Sequence, residues 1–223
     1  MNYKPILFSA PMVLAILNGR KTVTRRVLSP RNTLCDGRSW TKQGPQWNNC
    51  DFDNAWIDAG PSAAGNLGPY LKVTEDGGIV HRVYSKIEVG NTLWVRENLH
   101  KGANNEVVYS ADSSVYPDAE WIWKRNNIPS IHCPRGFSRI TIEVTGVKVE
   151  RLQDISEDDA ISEGMEFDEL NEAWQDYNKE IEERVWLDTA KESFATFWEL
   201  INGPGSWEEN PWCAAYEFEE VKL

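Results

Sequence analysis

Four cations and two hydroxyls stand within one short stretch, Gly19-Arg-Lys-Thr-Val-Thr-Arg-Arg26. The cations are Arg20, Lys21, Arg25 and Arg26, and the hydroxyls belong to Thr22 and Thr24. Clustered guanidinium and ammonium groups are typical of phosphate binding. A solvated basic strand that guards a sheet edge is the simpler structural interpretation. The functional interpretation is preferred because the surrounding sequence stays cationic while the rest of the chain is acidic.

The charge is distributed unevenly along the chain. Residues 1–50 hold eight Lys or Arg and one acid, whereas residues 151–223 hold five Lys or Arg and 21 of the 35 acids. A net charge of −12 argues against bulk binding to duplex nucleic acid, which depends on many phosphate contacts. It is compatible with a local basic cleft that takes one phosphate or a short single strand. Solvated helix faces explain most of the acids.

The basic stretch is placed by a predicted helix and a predicted strand. Residues 11–18 predict a short buried helix, with Pro11 in its first turn and Gly19 in the left-handed position after its end. A strand then runs to about Leu28. Alternating apolar residues predict further strands at 79–84, 92–97, 107–109, 138–145, 147–152 and 212–219.

Three more helices are predicted in the acidic half. Ser156 and Asp159 form a capping box that begins a short helix ending at Gly164. Asp188-Thr189 begins an amphipathic helix, with one apolar face formed by Phe194, Phe197, Trp198 and Ile201. Residues 29–78 and 111–135 predict irregular structure, and 168–186 predict an acidic helix. The sum predicts an α+β fold: a small, mostly antiparallel β-barrel with flanking helices and a long irregular insertion at 29–78.

Composition predicts one domain over residues 1–223 that needs no disulfide. The four cysteines show no CxxC spacing, so no zinc site and no cofactor are expected, and a reduced cytoplasmic protein is predicted. The sequence shows no signal peptide and no apolar run long enough to span a bilayer, so no membrane association is expected.

Several motifs together resemble the ASCH domain of the PUA-like superfamily. They are the basic stretch after a short helix, Gly90-Asn-Thr-Leu-Trp-Val-Arg-Glu97, and the closing Trp207, Asn210-Pro-Trp212 and Tyr216-Glu-Phe218. Residues 129–143, 149–156 and 160–164 resemble a longer form of the domain met in phage and prophage genomes. The resemblance leaves 29–78 and about 166–187 unexplained, and both segments are predicted to be insertions.

The resemblance implies a β-barrel with a cleft for an RNA-type ligand. One member of the family is an amidohydrolase that removes the acetyl group of N4-acetylcytidine with a lysine, a threonine and a glutamate. The matching residues here are Lys21, Thr24 and Glu163. Other members are proposed RNA binders, and one branch is reported to cleave RNA, so membership alone does not fix the reaction.

Amide hydrolysis requires a nucleophile, a base and stabilisation of the developing charge. Thr24 is the candidate nucleophile, with Thr22 as an alternative. Lys21 can act as base only when neutral: nearby arginines lower its pKa, whereas a close Glu163 raises it. Because residues 21 and 24 face opposite sides of a regular strand, Lys21 must lie at the start of the strand or the strand must be bulged.

Phosphate or nucleic-acid binding is assigned to five arginines, which are Arg20, Arg25, Arg26, Arg135 and Arg139. For Arg135 and Arg139 a salt bridge to the acidic half is an equal alternative. The expected ligand is a modified nucleoside or single-stranded RNA. The competing hypotheses are a binding module without catalysis, and a phage interaction protein that docks a partner, not identified by the sequence, through its acidic helices.

Overall fold

The computed structural model describes residues 3–36, 40, 46–58, 69–178 and 186–221. Three α-helices are present in these ranges: α1 (Ala10–Leu17), α2 (Glu157–Ser162) and α3 (Ala190–Asn202). The strands are β1 (Tyr3–Leu7), β2 (Val23–Val27), β3 (Thr33–Cys35), β4 (Cys50–Asp58), β5 (Tyr70–Glu75), β6 (Ile79–Ser85), β7 (Thr92–Arg96), β8 (Leu99–Lys101), β9 (Glu106–Tyr109), β10 (Val115–Glu120), β11 (Asn127–Ile128), β12 (Thr141–Arg151), β13 (Phe167–Asp168), β14 (Ala173–Gln175), β15 (Trp186–Leu187) and β16 (Trp212–Glu220). Short 3₁₀ turns occupy Trp47–Asn49, Ser130–His132, Arg135–Phe137 and Leu152–Asp154.

The central sheet has five strands in the order β1-β7-β12-β16-β2. Only the β1–β7 pair is parallel. β12 is one continuous strand where the alternation had predicted two, and its register with β16 is irregular between Val144 and Gly146. Gly146 lies at this irregularity, where the carboxylate end of the exposed Glu217 side chain covers the position that a Cβ would take.

The α+β class and the predominance of antiparallel pairing are confirmed. No sheet closes on itself within the described ranges, so the PUA-like barrel stays a prediction. The main hydrophobic core includes Ile142 and Val144 of β12 together with Phe194 and Phe197 of α3, all buried. Ile201 departs from its predicted buried face and is 46% exposed.

The caps of the three helices follow the sequence signals. Gly19 adopts φ 70° after α1. Ser156 accepts a hydrogen bond from the N–H of Asp159 at the start of α2, and Thr189 and Glu192 form a reciprocal capping box on α3. These contacts satisfy helix N–H groups locally, which is why short sequence patterns predict them.

The prediction of irregular structure for 29–78 is wrong in the described part of that segment. β3, β5 and β4 join β6 in a second antiparallel sheet of order β3-β6-β5-β4. The strands carry little local alternation, and their pairing depends on contacts between distant residues. Trp40, Trp47 and Phe52 pack together, with the Trp47 and Phe52 rings stacked at 4.1 Å.

Two further segments are more strand-like than predicted. β10 and β11 lie within 111–135 and pair with β9 and β8. The predicted helix over 168–186 is absent from the described part: β13, β14 and β15 form a small sheet, and 179–185 lie outside the described residues. Aromatic packing of Trp174 on Phe167 and of Tyr177 on Phe197 of α3 overrides the helical preference of the acidic sequence.

None of the helices described is both long enough and apolar enough to cross a lipid bilayer.

Candidate active site

Two helices hold the start of the basic stretch. The N–H groups of Arg20 and Lys21 both donate to Ala15 O in α1, at 2.8 and 3.0 Å. The N–H of Thr22 donates to Ser162 O at 2.9 Å and so joins the stretch to the last turn of α2. Lys21 therefore precedes β2, which is one of the two placements that the sequence required.

The end of α2 packs against α1 with no space for a side chain at Gly164. This residue has φ 93°, and a Cβ there would lie 2.7 Å from Ala15 Cβ and 3.0 Å from Lys21 Cβ. Only glycine fits a position that is both left-handed and this tightly packed. The contact brings the preceding residue, Glu163, onto Lys21.

Lys21 and Glu163 form a buried ion pair. Lys21 Nζ lies 2.6 Å from Glu163 Oε2 and also donates to the main-chain oxygen of Glu163 at 2.8 Å. The two side chains are 0% and 1% exposed. A charge-assisted contact at this distance, removed from water, is much stronger than the same pair on a surface.

Arg25 is buried among three carboxylates. Its Nη1 lies 3.2 Å from Glu163 Oε1, and its Nη2 lies 2.6 Å from Glu150 Oε1 and 2.7 Å from Asp159 Oδ2. Its Nε also donates to Glu150 at 2.9 Å. Glu163 therefore bridges Lys21 and Arg25 through its two carboxylate oxygens.

The two buried cations respond differently to this environment. Burial, assisted by Arg26 and Arg25, lowers the pKa of Lys21, and Glu163 opposes the change without reversing it. For Arg25 burial acts downward too, but the carboxylates of Glu163 and Glu150 outweigh it and raise the pKa. Arg25 is therefore a fixed charge, whereas Lys21 is a titratable group whose neutral form is favoured relative to a lysine in water.

Thr24 carries a buried hydroxyl group that forms no hydrogen bond with the described residues. The residue is 0% exposed and lies in β2 opposite Tyr216 of β16. Its Oγ1 has no hydrogen-bond partner in the described part of the chain. A buried hydroxyl without a partner costs about 1–3 kcal/mol, so such groups in a folded protein call for an explanation.

A cavity of about 400 Å³ adjoins the cluster. Its apolar wall includes Phe194, Phe197 and Trp198 of α3, and Arg26 and Glu163 contribute to its polar wall. Lys21 and Thr24 are buried and do not line it. Glu163 thus connects the cavity to the buried lysine.

The remaining cations of the basic stretch bind main-chain oxygens. Arg20 donates to Gly164 O at 2.9 Å. Arg26 donates to Leu7 O at 2.7 Å, and its guanidinium lies 5.2 Å from the centre of the Phe8 ring. Arg26 lines the cavity, whereas Arg20 serves the junction of α1 and α2.

Arg135 and Arg139 are not brought to this cluster. The guanidinium of Arg135 stacks 3.9 Å from the centre of the Tyr3 ring. Arg139 donates to both carboxylate oxygens of Glu97 at 2.8 Å and to Asp112 at 2.7 Å. Arg139 thus forms salt bridges, but to Glu97 and Asp112 and not to the acidic half of the chain at residues 151–223. Neither arginine lines the cavity.

Sequence reasoning missed two members of the ionic cluster and the aromatic wall. Asp159 and Glu163 are four residues apart at the end of α2 and so share a helix face, a signal that pointed to a common cation. Glu150 carried no comparable signal, because its partner Arg25 is 125 residues away. The aromatic residues of α3 were predicted as core residues, and their position along a cavity was not predicted. The exposed Ile201 on the same helix also lines this cavity.

Comparisons of the chain with protein-family models, with curated proteins and with solved structures found no match.

Proposed function

We propose that this protein hydrolyses the amide of an N4-acylated cytidine or a related modified nucleoside, with Lys21 as base, Thr24 as nucleophile and Glu163 as polar stabiliser. The observation that carries the proposal is the buried Lys21–Glu163 pair, with its lowered lysine pKa, beside a cavity. Perturbed titratable groups at a cavity are typical of catalytic sites.

In the proposed reaction Lys21 gives up the charge of its ion pair with Glu163 and acts as a neutral amine. A neutral –NH₂ has two N–H donors and one lone pair, and Glu163 supplies two acceptors to Nζ. With both donors engaged, the lone pair is directed away from Glu163. Glu163 in this role orients the base, while the fixed charge of Arg25 keeps the carboxylate paired when Lys21 is uncharged.

The proposed reaction has two half-reactions. Lys21 takes the proton of Thr24 as Oγ1 bonds to the acyl carbonyl carbon, and the resulting ammonium returns a proton to N4 as the C–N bond breaks. Water then cleaves the acyl-threonine, which releases the carboxylic acid and restores the hydroxyl. Thr24 is buried in the free protein and its Oγ1 has no hydrogen-bond partner among the described residues. The proposal therefore requires that ligand binding uncovers Oγ1 and brings it within hydrogen-bond reach of Lys21 Nζ.

The cavity suits a nucleoside better than a polyanion. A volume near 400 Å³ lies within the range of small-molecule sites. The α3 aromatics offer a surface on which a pyrimidine can pack. The charge of Arg25 is balanced by three carboxylates, so a phosphate would have to compete with them.

The test compares hydrolysis of N4-acetylcytidine by the wild type, Thr24→Val and Thr22→Val, followed by chromatography of released cytidine. We expect Thr24→Val to lose at least about a hundredfold of turnover while unfolding at the same or higher urea concentration, since it removes an unpartnered buried hydroxyl. The exposed Thr22 is the matched control, and its variant is expected to keep activity. Turnover that survives in Thr24→Val and is lost in Thr22→Val would overturn the nucleophile assignment.

Lys21 is tested separately because its removal leaves a buried carboxylate. Lys21→Ala should lose turnover, with circular dichroism as the check that it folds. Turnover by a folded Lys21→Ala protein contradicts the proposal, and so does the absence of turnover in the wild type with N4-acetylcytidine and related N4-acylated cytidines.

Arg26 favours a second candidate function, the binding of a nucleotide or short single-stranded RNA without catalysis. It lines the cavity, and the hydrogen bonds found for its guanidinium go to the main-chain oxygens of Arg25 and Leu7. Binding through Arg26 should weaken as salt is raised and weaken further in Arg26→Gln. Salt-independent binding would reject it.

A further inference from the structure

A second group of chemically reactive side chains lies on the sheet β3-β6-β5-β4. In the register of this sheet Cys35 is opposite Val83, and His81 is opposite Val73. Cross-strand partners and every second residue share one face, so Cys35, His81 and Glu75 project from the same face. Asp36 directly follows β3 and adopts φ 45°, which turns the chain at this edge.

The side-chain atoms converge at the end of β3. His81 Nδ1 lies 3.3 Å from Asp36 Oδ2, and Cys35 Sγ lies 4.0 Å from the same oxygen. All three potential ligand atoms lie within 4.8 Å of one another. In a tetrahedral zinc site with bonds of about 2.0–2.3 Å, neighbouring ligand atoms are about 3.3–3.7 Å apart. The His81–Asp36 separation already falls in this range, and the Cys35–Asp36 separation exceeds it by a few tenths of an ångström.

Other contacts hold the ligand atoms in position. His81 Nε2 lies 2.8 Å from Glu75 Oε2, and a proton held on Nε2 by this carboxylate would leave Nδ1 as the ligating nitrogen when an ion is bound. Asp36 Oδ1 accepts the main-chain N–H of Arg82 at 3.1 Å, which leaves Oδ2 directed at the cluster. A carboxylate behind a ligating histidine is the usual outer partner in zinc sites, where it fixes the ring orientation.

We propose that Cys35, Asp36 and His81 bind a zinc-class divalent ion, with Glu75 as the positioning residue behind His81. A thiolate with an imidazole selects a borderline-soft ion such as Zn²⁺ over Mg²⁺ or Ca²⁺, which prefer oxygen ligands. Binding releases the Cys35 thiol proton to solvent and forms the metal–sulfur bond. Three protein ligands leave the fourth tetrahedral position for water at the exposed side of Asp36.

The ion would join β3 to β6 at one edge of the sheet. The three ligands are not spaced as a CxxC motif, and Asp36 and His81 are 45 residues apart. The absence of that motif is the reason why the cysteine pattern predicted no zinc site. The site is independent of the Lys21 cluster, so either proposal can fail without the other.

Co²⁺ titration of the full chain is the direct test. We expect one equivalent to produce a thiolate-to-cobalt charge-transfer band and the visible bands of tetrahedral coordination, and Zn²⁺ to displace them. Cys35→Ser and His81→Gln should abolish the charge-transfer band, and Glu75→Gln should weaken affinity by about 10- to 100-fold. Cys50→Ser is the matched control, because Cys50 lies on β4 of the same sheet, and it should retain the band.

Circular dichroism identifies variants that fail to fold. Because Glu75→Gln leaves all three ligands in place, its affinity for the ion tests the site independently of the ligand variants. No charge-transfer band in the folded wild type overturns the proposal. A band that persists in Cys35→Ser or disappears in Cys50→Ser also overturns it.

Discussion

Two arginine–carboxylate networks in this molecule have similar chemistry and different surroundings. Arg25, with a fully buried side chain, binds Glu150, Asp159 and Glu163. Arg139, with a side chain 19% exposed, binds Glu97 and Asp112. In each network one guanidinium forms ion pairs with two or more acids.

The two networks differ because only the Arg25 network includes a titratable lysine. Glu163 is shared between Arg25 and the titratable Lys21, and it reaches the wall of a cavity. The Arg139 network joins the residue after β7, the segment before β12 and the turn after β9, and its residues line no cavity described here. A buried ion pair by itself thus says little about function, whereas a carboxylate that links a fixed cation to a titratable base beside a cavity is a candidate for catalysis.

Arg25→Met should give the largest loss of stability. It leaves the negative charges of Glu150 and Glu163 buried without the positive charge of Arg25. Removal of one partner of a buried ion pair costs about 3–5 kcal/mol. Urea unfolding measures the loss. The control Lys148→Met removes a 54% exposed lysine that also contacts Glu150, and it should cost less than about 1 kcal/mol. Equal losses in the two variants would contradict the distinction between buried and exposed partners.

Arg139→Met should cost about 2 kcal/mol, because Glu97 is left buried without its bidentate partner. We expect turnover to be unchanged.

The Arg139 hydrogen bond holds the pKa of Asp112 well below its usual range. A depressed carboxyl pKa stabilises the fold above the unfolded-state pKa, and this contribution is lost as pH falls through the folded-state value.

Stability measured against pH checks this assignment. The difference between wild type and Arg139→Met should be full near neutrality and shrink below about pH 4. Loss of turnover in a folded Arg139→Met protein would contradict the conclusion that the Arg139 network is structural and the Arg25 network belongs to the active site.

Gly164→Ala should cost about 1–3 kcal/mol, because it combines a left-handed backbone with a Cβ placed against Ala15 and Lys21. Gly136→Ala is the matched control, since a Cβ there meets nothing within 4 Å, and we expect a change within about 0.5 kcal/mol. Because the clash displaces Lys21 from Glu163, turnover should fall in Gly164→Ala alone. A fall of the same size in both variants would remove the link between this close contact and the site.

The smallest expected effect is a shift of the pH–rate profile. Activity should rise with pH as Lys21 loses its proton, and the lowered pKa places this rise below that of an ordinary lysine. Glu163 raises the pKa of Lys21 and Arg26 lowers it. Residual activity should therefore rise at lower pH in Glu163→Gln and at higher pH in Arg26→Gln. Shifts in the same direction would show that the profile reports another group.

Local patterns predicted the three helices and most strands of the central sheet, but few of the other strands and only part of the site. The bounds of α2 and α3 follow from Ser156 and Thr189, whose caps involve residues three positions away. The strand register and the second sheet did not follow, because alternation identifies a strand without naming its partner. The acidic segment around Trp174 was wrongly predicted as a helix from its composition. It forms short strands, in which Trp174 packs against Phe167.

The sequence by itself determined the helix ends, the alternation of β7, β12 and β16, and the presence of Lys21 and Thr24 beside a basic strand. These depend on backbone preferences and on neighbours within one or two turns. Only the tertiary structure decided that Lys21 meets Glu163, which is 142 residues away, that Arg25 is buried among three acids, and that Arg139 joins a separate network. Burial and charge pairing arise when distant elements come into contact, and they set both the pKa of the lysine and the place of the cavity.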